Sequence, residues 1–236
     1  MNPAWPAVRG LIRSVLVDTT PRDHHQPDAQ FRRRRIVTAS TLVVGAVLLG
    51  LSLATRPGNV QFYPLTLLVA LTWTLGGFLS GPLHLGYLPW RGRLRRPVLA
   101  GVLIGLAAGS VFLAGGLLVR QVPPLDSLVQ AVLAHARRGA LVPVTAVTLL
   151  NGAAEEIFFR GAVFAAVGRR FPVLVTTALY AAVTLATANA MLVFAAVTLG
   201  LVLAAVRRTS GGILAPLLAH VTWSAMMLFL LDPLFH

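Results

Sequence analysis

The chain has 236 residues, is 56% hydrophobic and only 11% charged, with a mean hydropathy of +0.78, a balance that excludes an ordinary soluble globular domain and fits a polytopic membrane protein. Its twenty cationic side chains are all arginines, set against seven acids for a formal net charge of +13. They gather at the ends of apolar runs, so membrane lipid and membrane topology account for them, and nucleic acid is not expected as a partner. Cysteine is absent, which excludes disulfides, thiol nucleophiles and thiolate metal sites.

Residues 1–31 form a polar, proline-bearing tail with three aspartates and no cleavable apolar core, unlike a signal peptide. Within it Val8, Leu11, Ile12, Val15 and Leu16 fall at helical spacing with Arg9 and Arg13 opposite, the pattern of an interfacial helix or a chance pattern in a disordered tail. His24 and His25 lie in the same polar context and read as solvated rather than as ligands. From residue 32 the chain reads as one transmembrane domain, 32–236. Arg32 to Arg35 abut a 19-residue apolar run, 36–54, which as a helix rises about 28 Å and crosses a hydrocarbon core.

After the breaker Arg56-Pro57-Gly58-Asn59 a second span is predicted over 62–80, ended by Gly81-Pro82. The segment up to Pro97 holds Arg91, Arg93, Arg95 and Arg96, with Tyr87 and Trp90 as expected interface anchors. A third span follows over 98–119. Beyond it Pro123, Pro124, Leu125, Leu128, Val129, Val132 and Leu133 predict a short amphipathic surface helix, with Asp126 placed to cap its first turn. The remaining spans are predicted over 141–167, 172–187, 191–206 and 213–231, the sixth being short. Arg207-Arg208 and the turn Thr209-Ser210-Gly211-Gly212 separate the last two.

The fold class is therefore an all-α polytopic membrane helical bundle of about seven transmembrane helices plus one amphipathic helix. With the N-terminus cytoplasmic, fifteen arginines fall on inside segments and four on outside loops. That asymmetry predicts a multi-pass protein of the plasma membrane with an external C-terminus. No internal repeat and no second domain is visible, and the oligomeric state stays open.

Chemistry concentrates in Glu155 and Glu156, the only glutamates, which stand side by side within the apolar run 141–167. An ionised carboxylate at mid-bilayer costs about 2.5–3.5 kcal/mol on insertion scales, so such groups are functional by default; a structural ion pair is the plain alternative. On a helix Glu156 and Arg160 share a face and can pair. Glu155 points about 100° away, free to face a cavity. By helical rise Glu155 lies roughly 18 Å from the inner end of its span and His220 about 10 Å into the last one. A common cavity open to the cytoplasm follows, although a lone membrane histidine also serves simply as an interhelical hydrogen bonder. A desolvated carboxylate beside a histidine can act as general base on water. Neither G-x-S-x-G nor H-E-x-x-H occurs, so serine chemistry and a zinc site are not expected, nor is a cofactor.

The run Asn151-Gly152-Ala153-Ala154-Glu155-Glu156-Ile157-Phe158-Phe159-Arg160-Gly161, followed by Arg208 to His220, resembles the signature of the CPBP family of intramembrane proteases, which includes the type II CAAX prenyl endopeptidases and bacteriocin-immunity relatives. The resemblance covers roughly 141–231. It implies a catalytic set of Glu155, Glu156, Arg160 and His220, with Glu155 the base that activates water and Glu156 and Arg160 in supporting positions. Tyr180 holds the aromatic position of the second motif, but Thr184 stands where its histidine is expected. Ser224 stands four residues after His220 where asparagine or aspartate is expected. His84, near the inner end of the second span, is a possible stand-in for the missing imidazole. The implied function is an endopeptidase of the bacterial inner membrane acting on a membrane-associated peptide or a CAAX-like substrate. The alternatives are a non-catalytic relative that binds a membrane protein partner in an immunity or scaffold role and, more distantly, a transporter.

Overall fold

In a hydrocarbon solvent every backbone N–H and C=O must be satisfied within the segment, which leaves helices as the form available to long apolar runs. The computed structural model describes residues 9, 10, 13, 15, 16, 26–90 and 92–235. Its helices are α1 (Asp28–Leu53), α2 (Phe62–Ser80), α3 (Val98–Val119), α4 (Pro123–Arg138), α5 (Leu141–Val167), α6 (Pro172–Thr184), α7 (Ala190–Ser210) and α8 (Leu214–Met226). A 3₁₀ turn, Leu185–Thr187, extends α6, and a π stretch and a 3₁₀ turn carry α8 on to Phe235. Among the described residues six helices are long and apolar enough to span a membrane, and α6 with its turn, Pro172–Thr187, is a shorter apolar helix. The result is a polytopic helical bundle with the expected amphipathic helix, α4.

Two boundaries and one connection differ from expectation for physical reasons. The first span reaches back to Asp28 and takes the four arginines into the helix, because Arg34 is buried and donates to Gln26 Oε1 (3.0 Å), Ser80 Oγ (3.4 Å) and the Pro82 carbonyl (3.0 Å). The sixth span is not short: α7 runs on through Arg207 and Arg208 to Ser210, since Arg207 is buried with an acceptor of its own. Between α2 and α3 two short strands, β1 (Leu88–Trp90) and β2 (Arg93–Arg95), form an antiparallel ribbon that helical periodicity does not reveal. Asp126 stands in the first turn of α4, but no side chain caps that helix. Most of the predicted tail helix, and His24 and His25, lie outside the described residues. Val15 and Leu16 pack against Phe164, Val173 and Ala204.

The buried core gathers Val69, Trp73, Ala154, Phe158, Phe159, Tyr180 and Val183 from α2, α5 and α6. Trp73 stacks on Phe158 with ring centroids 4.8 Å apart. On the other side α3 lies along α8 through a row of small residues: a Cβ at Gly105 would stand 2.5 Å from the Ala219 carbonyl oxygen. Small residues allow this approach where lipid supplies no hydrophobic drive between helices. The seam fixes α8, the helix that carries His220.

Candidate functional site

The site is built on α5 at the point where its α-helical turns give way to a π-helical stretch, Glu156–Val163. Such widened turns are frequent at functional sites. Glu156 and Arg160 have no exposed surface. Arg160 Nη1 donates to Glu156 Oε1 at 2.8 Å, and Nη2 donates to the Gly200 carbonyl of α7 at 3.2 Å. His220 Nδ1, from α8, meets the same Glu156 oxygen at 2.8 Å. Three helices therefore converge on the buried Glu156–Arg160 pair. With Nδ1 taken up by Glu156, Nε2 is the second ring nitrogen of His220.

Glu155 has different surroundings. Its side chain is half-buried, and Tyr180 donates its hydroxyl to Oε2 at 2.5 Å. The guanidinium of Arg160 lies over the same tyrosine ring, 5.0 Å from its centroid, and so links the two carboxylates indirectly. Among the described residues Glu155 Oε1 has no hydrogen-bond partner, and it is not one of the sealed polar atoms. By contrast, Glu156 Oε2 and Arg160 Nε are buried without a partner among the described residues.

Gly152 lies one turn before the glutamates and on their face of the helix. A Cβ there would stand 3.2 Å from Ser224 Oγ and 3.5 Å from His220 Cδ2. Ser224 and His220 thus flank the bare backbone of α5, and both are buried. Thr184 is buried too, but its hydroxyl donates to the Tyr180 carbonyl at 2.9 Å and so is turned to its own helix. The structure brings Glu155, Glu156, Arg160, His220, Tyr180 and Ser224 together and leaves the Thr184 hydroxyl bonded within its own helix. His84 lies beyond the end of α2, where its carbonyl accepts from Ile213 N at 2.8 Å. Among the described residues no group of three His, Asp or Glu side chains could hold a metal ion.

Two contributors escape sequence reasoning. Arg207 donates Nε to the Arg160 carbonyl at 2.8 Å and lies over Phe164, 4.9 Å from the ring centroid, yet in sequence it is one more arginine at the end of an apolar run. Gly200 contributes a backbone oxygen, and no residue type signals that. Gly152 stands within the glutamate motif, but only the approach of α8 explains it.

A multi-pass helical membrane protein with a glutamate pair inside the bundle is the class that fold and site define. Residues 137–226 match the family model described as type II CAAX prenyl endopeptidase Rce1-like. The match runs from the end of α4 into α8 and includes all seven site residues; α1, α2 and α3 precede it. No curated protein and no solved structure matches.

Proposed function

We propose that the protein is an intramembrane endopeptidase that hydrolyses a membrane-associated or CAAX-like peptide with water activated by Glu155. The observation that carries this reading is the division of labour between the carboxylates. Glu156 is occupied by Arg160 and His220, whereas Glu155 is held at one oxygen by Tyr180 and keeps the other open. In the proposed step Glu155 Oε1 takes a proton from water as the water oxygen bonds to the scissile carbonyl carbon. His220 Nε2 and the Ser224 hydroxyl orient that water or meet the oxyanion. Collapse of the tetrahedral adduct breaks the C–N bond, and the proton held by Glu155 passes to the leaving amine. General acid–base groups contribute roughly 10²–10⁴-fold each. The test is purified protein in proteoliposomes with prenylated and unprenylated CAAX peptides and membrane-peptide libraries, beside Glu155→Gln. Glutamine keeps an acceptor for Tyr180, so cleavage falls at least about a hundredfold while the fold is retained. Equal cleavage by both proteins, or none by either, overturns the reading.

One observation favours a second reading, a non-catalytic member that holds a membrane partner in the same interior. Thr184 spends its hydroxyl on the Tyr180 carbonyl and Ser224 offers no amide, so the site has a single imidazole. Under that reading the same peptides are retained by the proteoliposomes and recovered intact.

A further inference from the structure

The ribbon between α2 and α3 is used neither by the bundle core nor by the site. Its register pairs Leu88 with Arg95 and Pro89 with Leu94. Because side chains alternate along a strand, Arg93 and Arg95 take one face and Leu94 the other. All three are exposed, Leu94 at 71% of its full surface. The side chains of Arg93 and Arg95 take part in no hydrogen bond or ion pair among the described residues. No acid occurs anywhere in 29–125, so nothing in this half of the chain competes for them.

The ribbon is also held in place. Arg96 lies over the Tyr87 ring, 4.0 Å from its centroid, and donates to the Gly86 carbonyl at 3.2 Å. Tyr87 N donates to the Ser210 carbonyl (2.8 Å), Ile213 N to that of His84 (2.8 Å) and Leu214 N to that of Leu85 (3.2 Å). Gly86, at φ +79°, passes so close that a Cβ would stand 2.3 Å from the Ser210 oxygen. The segment leading into the basic ribbon is therefore clamped to the end of α7 and the start of α8. Its connections run directly from Ser80 and into Val98, the ends of two spanning helices, so it stays at the membrane surface.

We propose that this ribbon is a binding site for anionic phospholipid headgroups of the leaflet it faces, with Arg93 and Arg95 on the phosphates and Leu94 in the acyl boundary. Charge complementarity selects the occupant, and long arginine stems reach headgroups while an exposed leucine gains from lipid contact. The site is independent of peptide hydrolysis. Full-length protein is reconstituted in nanodiscs of phosphatidylcholine alone or mixed equally with phosphatidylglycerol. The readouts are the ratio of the two lipids that co-purify on detergent extraction and the thermal shift on titration with phosphatidylglycerol. The wild type enriches phosphatidylglycerol, and added salt weakens the effect. Each arginine near an anionic surface is worth about fivefold, so Arg93→Gln with Arg95→Gln weakens the apparent affinity roughly thirtyfold. Arg93→Lys with Arg95→Lys retains most of it, and Arg56→Gln, in the connection between α1 and α2, changes nothing. Wild-type phosphatidylglycerol affinity in the glutamine pair, or equal retention of both lipids by the wild type, overturns the proposal. So does tighter binding of a soluble acidic peptide than of anionic nanodiscs, which points to a protein partner instead.

Discussion

His220 directs its Nδ1 to Glu156 Oε1 at 2.8 Å, so the imidazole is oriented by the carboxylate that Arg160 neutralises and not by the glutamate that keeps an open oxygen. The histidine therefore ties α8 to the buried ion pair of α5. Any change at Glu156 acts on both.

Removing Glu156 leaves Arg160 charged and without its ion-pair partner in a site with no exposed surface. Breaking a buried pair in this way costs about 3–5 kcal/mol. Glu156→Ala is expected to lower thermal stability by that order in detergent, whereas Glu155→Gln, at a half-buried position with its tyrosine contact kept, stays within about 1 kcal/mol of wild type. Equal melting of the two variants would contradict the assignment of Glu156 as the structural member of the pair.

The contact of α3 with α8 gives a second test at a distance from the carboxylates. Gly105→Ala would put a methyl group 2.5 Å from the Ala219 oxygen, so α8 must shift, whereas Gly115 in the same helix has nothing within 4 Å of an added Cβ. Overpacking at Gly105 is expected to destabilise by about 1–3 kcal/mol and to displace His220. Gly115→Ala removes helix-interior glycine entropy and is expected to stabilise by about 0.5–1 kcal/mol. Thermal unfolding of both variants, with peptide cleavage for Gly105→Ala, checks the pair.

Thr184 offers the gain-of-function test. Thr184→His with Ser224→Asn restores an imidazole and an amide where the family motifs have them, and under the proposed function cleavage rises about a hundredfold or more. A folded double variant that cleaves nothing would instead support the binding reading. Loss of stability by about 1–3 kcal/mol would mean that the packing has closed around the smaller threonine.

The arginine asymmetry of fifteen to four makes topology measurable. A cytoplasmic N-terminus and external C-terminus predict an active C-terminal alkaline phosphatase fusion. An inactive but stable fusion would reverse the assignment.

Much of the architecture is local and so was readable before any contact was known. The second and third spans coincide with Phe62–Ser80 and Val98–Val119 because an apolar run bounded by breakers must satisfy its own backbone in lipid. The Glu156 to Arg160 pair follows from helical spacing, and the paired glutamates stand out because so few charges lie within the apolar runs. Contacts between distant residues decided the rest. Glu156 and His220 are 64 positions apart, and no periodicity says which glutamate the imidazole will meet. Arg207 prolongs α7 instead of ending it because a carbonyl 47 residues away accepts its Nε. The segment leading into the ribbon at Leu88–Arg95 is pinned by backbone groups of 210–214, which carry no side-chain signal at all. A buried charge announces itself in an apolar sequence and helical spacing already pairs Glu156 with Arg160, but partners on other helices are chosen by packing, and only the tertiary structure set His220 on Glu156 and Tyr180 on Glu155.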